Sequence, residues 1–231
     1  VNYAYLDNGR GPKLVEEIAV DAAGNPVDYS VAGTTTFGSK VQERFRQRAG
    51  RAEWTTTADR GSARVAAPGL YVPISGTPEA TAVIARALLA RADGKASALP
   101  GGELSISKVR TETLRGDAGT RTVSLYAIAG ADLTPNYVWL DDADRQLFAE
   151  LYPGVVGTIL SGWERSAALL VDHQKQAENT LLEQLPAVAR RTLGDAYAIR
   201  DVRVFDSRTG TLGDLATVYV WRGRIASIFP A

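Results

Sequence analysis

Short segments of alternating apolar and polar residues, separated by turns rich in glycine and aspartate, constrain this fold more than any other feature. The segment KLVEEIAV at 13–20 alternates, the turn Ala22-Ala23-Gly24-Asn25 follows, and a second strand begins at Pro26. Because successive side chains of a strand point to opposite faces, such segments predict antiparallel strands with one face on a core and one in water. Further strands are predicted at 40–47, 51–57, 103–114, 120–128, 136–140 and 146–152.

Two helices interrupt these strands. The first begins at Thr77-Pro78-Glu79, which combines a hydroxyl N-cap, a proline at the first helical position and an acid in the first turn. Its apolar stripe is Val83, Ile84, Ala87 and Leu88, and we expect Gly94 to end it. We expect this helix to pack across the sheet.

The second helix is longer and carries a narrow apolar stripe. Ser161-Gly162-Trp163-Glu164 has the pattern of a capping box, in which the Ser and Glu side chains bond to backbone N–H groups. Pro186 is expected to kink or interrupt the helix, which continues from Ala187 to a stop at Gly194. The stripe recurs at steps of three and four residues and comprises Trp163, Ala167, Leu170, Gln174, Ala177, Leu181 and Leu185.

Composition excludes several classes of protein. The 231 residues carry 26 basic and 26 acidic side chains, so no net charge attracts nucleic acid or an anionic membrane. No apolar run reaches the roughly 20 residues that span a bilayer. Cysteine is absent, which removes disulfides, thiolate metal sites and Cys nucleophiles. We therefore expect no nucleic-acid partner and no membrane span.

The chain begins at Val1 and contains no methionine. These features suggest a processed piece of a longer protein. A β-rich chain without cysteine favours a periplasmic or secreted location, and a cytoplasmic location is left open.

The stretch 197–231 contains three short apolar runs. Asp206-Ser207-Arg208-Thr209-Gly210 separates the first run from the second, and Arg222-Gly223 separates the second from the third. Glycine can adopt the positive φ of a tight hairpin, so the stretch predicts a small β-meander.

The segments IRDVRVFD and VYVWRGRIASI within this stretch resemble the opening strands of the amidohydrolase superfamily. In that family, these strands begin a small β-sandwich beside a metal-dependent (β/α)₈ barrel. The resemblance implies a barrel whose first strand, with a His-x-His pair, follows within a few dozen residues and holds zinc or another divalent metal. It places catalysis outside residues 1–231, for which we predict no catalytic, cofactor-binding or metal-binding residue.

His173 is the only histidine and lies on the second predicted helix. Its neighbours at three and four residues are Leu169, Leu170, Gln176 and Ala177, so no second metal ligand shares its helix face. Adjacent Asp172 points elsewhere on the helix. We therefore expect a surface or interface residue without a catalytic role.

Two charged groups have both a functional and a structural interpretation. Asp141, Asp142 and Asp144 could hold Ca²⁺, but they lack the glycine and distal glutamate of an EF-hand, and their position favours a hairpin turn. Arg44, Arg46 and Arg48 should share one strand face, where they could bind phosphates beside a stacking surface on Trp54. Because Glu43 and Glu53 lie close by, a solvated face with cross-strand ion pairs is favoured.

Two further patterns have a structural rather than a functional interpretation. The turns Gly9-Arg10-Gly11-Pro12 and Pro100-Gly101-Gly102 match no phosphate-binding loop, and no G-x-S-x-G motif is present. Six aromatic residues could line an apolar groove, but their positions favour a core: Tyr126, Tyr137, Trp139, Phe148, Tyr152 and Trp163.

The sequence therefore predicts an α+β chain. A twisted antiparallel sheet with one packed helix spans 1–153, a long connecting helix spans 154–194, and the meander spans 195–231. The leading hypothesis is a non-catalytic N-terminal portion of a bacterial metal-dependent amidohydrolase-like hydrolase. Its partner would be the rest of the polypeptide or a catalytic barrel, and the meander could also form a homo-oligomer. The alternative is a periplasmic binding domain, without enzymatic activity, that holds a lipid or peptide on a β-sheet.

Overall fold

A computed structural model describes residues 1–116, 119–189 and 193–231, without the side chains of 185–189. The chain forms two compact units, Val1–Glu178 and Asn179–Ala231. The first contains thirteen strands and helix α1 among its described residues. The second contains three strands, and helix α2 begins in the first unit and ends in the second. The predicted α+β class is confirmed.

The first unit opens with a six-stranded antiparallel sheet, here called sheet A, whose strands follow chain order. The register places Glu16, Tyr29, Val31, Glu43 and Phe45 on its inner face. Strand β4 shows the alternation most clearly, because every second side chain from Val41 to Gln47 is buried. The strands are β1 (Asn2–Ala4), β2 (Lys13–Val20), β3 (Pro26–Thr34), β4 (Lys40–Arg48), β5 (Arg51–Thr55) and β6 (Arg60–Arg64).

A seven-stranded sheet, sheet B, follows in the order β13-β12-β11-β10-β9-β8-β7. Its pairs are antiparallel except β7 with β8, which is parallel because α1 (Pro78–Leu89) connects these two strands. The strands are β7 (Leu70–Tyr71), β8 (Lys95–Leu99), β9 (Glu103–Gly116), β10 (Gly119–Ala129), β11 (Asn136–Asp141), β12 (Leu147–Tyr152) and β13 (Val156–Ile159).

Helix α1 fills the space between the two sheets. One apolar cluster joins the helix, through Ile84 and Leu88, to Leu104, Ile128 and other side chains of sheet B. A second cluster joins Ala80 to the inner face of sheet A. Eight of the twelve residues of α1 are buried, so the helix is apolar on more sides than the one predicted stripe. The predicted Thr77 cap is confirmed, although α1 ends at Leu89, before Gly94.

Helix α2 (Ala167–Ala189) follows a 3₁₀ turn at Glu164–Ser166, and its first half covers the other face of sheet B. Trp163, Leu170 and Gln174 are buried, as the stripe predicts. The predicted capping box is wrong. Glu164 accepts from the backbone N–H of Gly162, but the Ser161 side chain makes no cap, and regular helix begins three residues beyond Glu164 because the 3₁₀ turn intervenes.

Helix α2 also extends past Pro186 to Ala189 without the predicted interruption. Three parts of the predictions lie outside the described residues: the side chain of Leu185, residues 190–192 of the predicted second helix, and the predicted turn residues Asp117 and Ala118.

In the second unit, β14 (Ala196–Asp206), β15 (Thr211–Trp221) and β16 (Arg224–Pro230) form the predicted three-stranded antiparallel meander. Both predicted turns lie where expected. Arg222 and Gly223 have φ of 47° and 74°, the positive values that a two-residue type I′ hairpin requires.

Candidate functional site

Two buried carboxylates of sheet A hold the segment that leads into α1. Glu16 on β2 is fully buried, and it accepts hydrogen bonds from the Tyr29 hydroxyl at 2.9 Å and from the backbone N–H of Thr77 at 2.9 Å. The Thr77 hydroxyl also donates to Glu16. Since Thr77 is the N-cap of α1, Glu16 lies at the positive end of the helix dipole, where a carboxylate is stabilised.

Glu43 on β4 likewise holds the loop between β7 and the start of α1. It accepts from the Tyr71 hydroxyl at 2.5 Å and from the backbone N–H groups of Ile74 and Ser75 at 3.0 and 3.1 Å. The Tyr71 ring stacks on Phe45 with centroids 4.5 Å apart. Burial raises the pKa of Tyr29 and of Tyr71; Glu16 adds to the increase at Tyr29, and Glu43 adds to it at both, so both phenols keep their protons and act as donors.

A third buried carboxylate, Glu150, comes from sheet B. It is 6% exposed on β12, and burial raises its pKa, while Thr81 of α1 and Tyr152 act in the opposite direction by hydrogen bonding. The charge of Glu16 adds to the increase. No hydrogen-bond partner for its Oε1 atom occurs among the described residues. Burial therefore favours the neutral acid more than water does, and the neutral form can donate a hydrogen bond.

A cavity of about 170 Å³ lies beside Glu150. Thr81 and Tyr152, the two side chains that bond to Glu150, both line this cavity, and Asn136 adds an amide. Most of the remaining wall is apolar and includes Ile84, Leu104 and Ile128. Tyr152 is half exposed, and burial followed by the charge of Glu150 raises its pKa to about 12. The cavity matches a benzene-sized molecule and is small for an acyl chain.

Sequence reasoning did not identify Glu16, Glu43 or Glu150 as a group. The signal was present in β4, where Glu43 occupies an inner-face position between Val41 and Phe45. A carboxylate that falls in phase with the apolar residues of a strand must be buried, and a buried carboxylate requires donors.

His173 lies on α2 and is largely buried against β9. Its Nδ1 atom is 2.8 Å from Oε1 of Glu112, and Nε of Arg110 is 2.7 Å from the same oxygen. The acidic neighbour comes from a strand rather than from the helix, which helix spacing cannot reveal. Glu112 therefore lies between Arg110 and His173, and this is a pairing of side chains rather than a set of metal ligands.

The three aspartates form the turn that their composition predicts, between the end of β11 and the start of β12. Asp141 is buried and pairs with Arg121, Asp142 lies 3.7 Å from Lys108, and Asp144 accepts from the backbone N–H of Gln146. Because the carboxylates have separate partners, they do not converge on a common point. No group of three or more His, Asp or Glu residues within the described ranges is arranged to hold a metal.

Arg44, Arg46 and Arg48 all lie on the outer face of sheet A, as predicted. Nε of Arg46 pairs across the strands with Asp28 at 2.8 Å. The phosphate-binding interpretation also places a stacking surface on Trp54, and the structure supports this only in part. The register places Trp54 opposite Phe45, so its indole packs with the inner cluster and lies over Gly61, although part of the residue borders a groove on the outer face.

The remaining candidates have structural roles. Asp7 and Arg10 exchange backbone hydrogen bonds in the turn that contains Gly9, and Ala98 donates to Gly102 in the turn between β8 and β9. Of the six aromatic residues, Tyr126, Trp139, Phe148 and Trp163 are buried in the clusters on the two faces of sheet B. Tyr137 is partly buried, and Tyr152 is the exception at the cavity.

The meander of the second unit exposes a large apolar surface. Val218 and Val220 are buried, but ten other large apolar side chains remain more than a third exposed. Cross-strand pairs place Ile199 and Ile228 with Val218 on one face, whereas Tyr219 packs against Phe229 on the other. The exposed set comprises Ile199, Val204, Phe205, Leu212, Leu215, Tyr219, Trp221, Ile225, Ile228 and Phe229.

Comparison with known proteins identified no matching family model, curated protein or solved structure. Among the residues that the structure describes, we find no helix with both the length and the apolar character needed to cross a bilayer.

Proposed function

We propose that this chain is a non-catalytic N-terminal portion of a bacterial metal-dependent amidohydrolase-like hydrolase. The enzyme would hydrolyse C–N amide or related bonds at a divalent metal, such as zinc, held by a barrel outside residues 1–231. The first unit would act as an accessory domain, and the meander would form part of a β-sandwich beside that barrel.

The observation that supports this proposal is the apolar character of both faces of the meander. An exposed apolar area of this extent marks an interaction surface. Residues 197–231, which resemble the opening strands of the amidohydrolase sandwich, include all ten exposed side chains. In a β-sandwich, a second sheet would pack on such a surface and cover it.

The interior of the first unit supports the same proposal over a lipid- or peptide-binding domain. Helix α1 occupies the space between sheets A and B, and side chains from both sheets pack against it. An acyl chain would need this space. The first unit therefore fits an accessory role better than that of a carrier.

The test compares residues 1–231 with the longer polypeptide that this proposal requires. We expect a His-x-His pair within a few dozen residues after Ala231 and stoichiometric divalent metal in the longer protein only, by elemental analysis. Hydroxyl-radical footprinting should show Tyr219, Trp221 and Phe229 protected in the longer protein. Phe37, an exposed residue of the first unit, should be modified equally in both proteins and serves as the control.

Two results would overturn the proposal. The first is tight zinc in purified residues 1–231. The second is equal modification of the three meander residues in both proteins.

A further inference from the structure

The outer face of strands β4–β6 is strongly cationic, although the chain as a whole is neutral. In these three strands, seven cationic side chains and one carboxylate, Glu53, point outward. All seven are exposed, and they are Lys40, Arg44, Arg46, Arg48, Arg51, Arg60 and Arg64. The excess positive charge is therefore confined to this face and is balanced by acidic residues elsewhere in the chain.

The register brings three of the arginines into one row. Arg48 lies opposite Arg51 on β5, and Arg51 lies opposite Arg64 on β6. Like charges directly opposite each other destabilise a sheet. Glu53 and the Ser62 hydroxyl bond to Arg51, but no ion pair or side-chain hydrogen bond to Arg48 or Arg64 occurs within the described part of the chain. An anion bound across the row would remove this repulsion.

A groove of about 500 Å³ crosses the same face. Arg44, Arg46 and Gln42 line it from β4, and the hydroxyl-bearing residues Thr55, Thr56 and Thr57 line it from β5 and the following turn. Glu53, which pairs with Arg51, and the edge of Trp54 complete the lining. Arg46 pairs with Asp28, whereas Arg44 has no ion-pair partner among the residues described. The groove thus offers guanidinium, amide and hydroxyl donors, and its volume is that of a small-molecule site.

We propose that this face binds a small oligophosphate, a ligand with two or more linked phosphate groups. Neighbouring strands place the arginines about 5 Å apart across the sheet, and alternate residues place them about 7 Å apart along it. Several guanidinium groups can therefore reach one ligand, and each can donate two parallel hydrogen bonds to a phosphate. A nucleic-acid strand fits less well, because Trp54 packs mainly with the inner cluster and only borders the groove, and the outward positions of β4–β6 carry no aromatic residue on which bases could stack.

Isothermal titration calorimetry with inorganic tripolyphosphate tests the proposal. We expect saturable binding at low salt that weakens as salt rises, and orthophosphate should bind more weakly because it engages fewer arginines. The double variant Arg48→Gln/Arg64→Gln should lose at least about tenfold in affinity. It should unfold no more easily than the wild-type protein, because it removes repulsion rather than a contact.

The matched control is Lys13→Gln/Lys175→Gln, which removes two exposed positive charges of the first unit outside β4–β6. This variant should bind tripolyphosphate as the wild-type protein does. A second variant, Arg44→Gln, reports on the groove itself and should also weaken binding.

Four results would overturn the proposal: no saturable binding, equal affinity for orthophosphate, equal losses in both double variants, or tighter binding of a single-stranded oligonucleotide than of tripolyphosphate. None of them bears on the accessory role proposed above, because that role rests on the meander and on the packed interior of the first unit, not on the outer face of β4–β6.

Discussion

Glu43 and Glu53 lie on neighbouring strands of sheet A but on opposite faces, which makes them a matched pair. Replacing Glu43 by alanine leaves the Tyr71 hydroxyl and two backbone N–H groups without their acceptor in a buried site. We expect a loss of about 3 kcal/mol or more in the free energy of unfolding, measured by urea denaturation.

Glu53→Ala is the control, because Glu53 is exposed and, among the described residues, its ion pair is with Arg51 at the surface. Its cost should stay below about 1 kcal/mol. Equal losses in the two variants would show that the Glu43 hydrogen bonds do not hold the loop before α1.

Glu150 should make the stability of the protein depend on pH. Because the pKa of Glu150 is raised in the folded state, the unfolded chain releases this proton first as the pH rises. Stability contributed at this site is therefore full below the ordinary pKa of glutamate, falls as the pH rises to the folded pKa, and is constant above it. Burial is the main cause of the raised pKa. Hydrogen bonding by Thr81 and Tyr152 lowers the pKa of Glu150, and the charge of Glu16 raises it further.

The variant Glu150→Gln removes this titration. Its melting temperature relative to that of the wild-type protein should increase across the same pH window and then level off. Thermal unfolding from about pH 3 to about pH 8 measures the difference. Glu53→Gln, at an exposed position, should follow the wild-type protein throughout, and a constant offset for Glu150→Gln would contradict the explanation.

At the scale of the element, α2 offers two adjacent leucines in opposite environments. Leu170 is fully buried against sheet B, whereas Leu169 is 45% exposed. Leu170→Ala should cost about 2–5 kcal/mol, because it removes buried apolar area and leaves a cavity. Leu169→Ala should change stability by no more than about 0.5 kcal/mol.

Circular dichroism during thermal unfolding compares the two alanine variants. Equal melting temperatures would mean that the first half of α2 does not stabilise sheet B.

Local sequence patterns predicted most elements of this protein and missed others for identifiable reasons. The alternation in β4, the Thr77 cap of α1 and the Arg222-Gly223 turn depend on neighbouring residues, so their signals are complete in the sequence. The short strands β7 and β8 lack such a signal, since they pair in parallel across α1. The capping-box pattern at Ser161 matched a motif, but the chain forms a 3₁₀ turn first.

The whole molecule depends on contacts that a local pattern does not contain. Glu16 reaches Thr77 across 61 positions of the chain, and nothing near Glu16 indicates that its acceptors serve a helix cap. The buried carboxylates could be suspected from their phase in each strand, but their convergence on α1 required the structure.

The exposed meander should make residues 1–231 self-associate in the absence of a partner. We expect the average mass from multi-angle light scattering to rise with protein concentration. Replacing Trp221 and Phe229 by lysine should suppress the rise, because both exposed rings contribute apolar area to one face of the sheet.

Phe37→Lys is the control for this experiment, since Phe37 is exposed in the first unit and lies outside the meander. A monomeric mass at every concentration would show that the meander does not cause self-association by itself.

Helix α1, packed between two sheets, limits where this polypeptide can be divided. A fragment that ends before β8 keeps the helix but loses most of sheet B, and a fragment that begins after β6 loses the carboxylates that fix the start of the helix. Neither fragment should fold when it is expressed separately. Chimeric proteins that borrow the first unit must therefore take both sheets and the helix together.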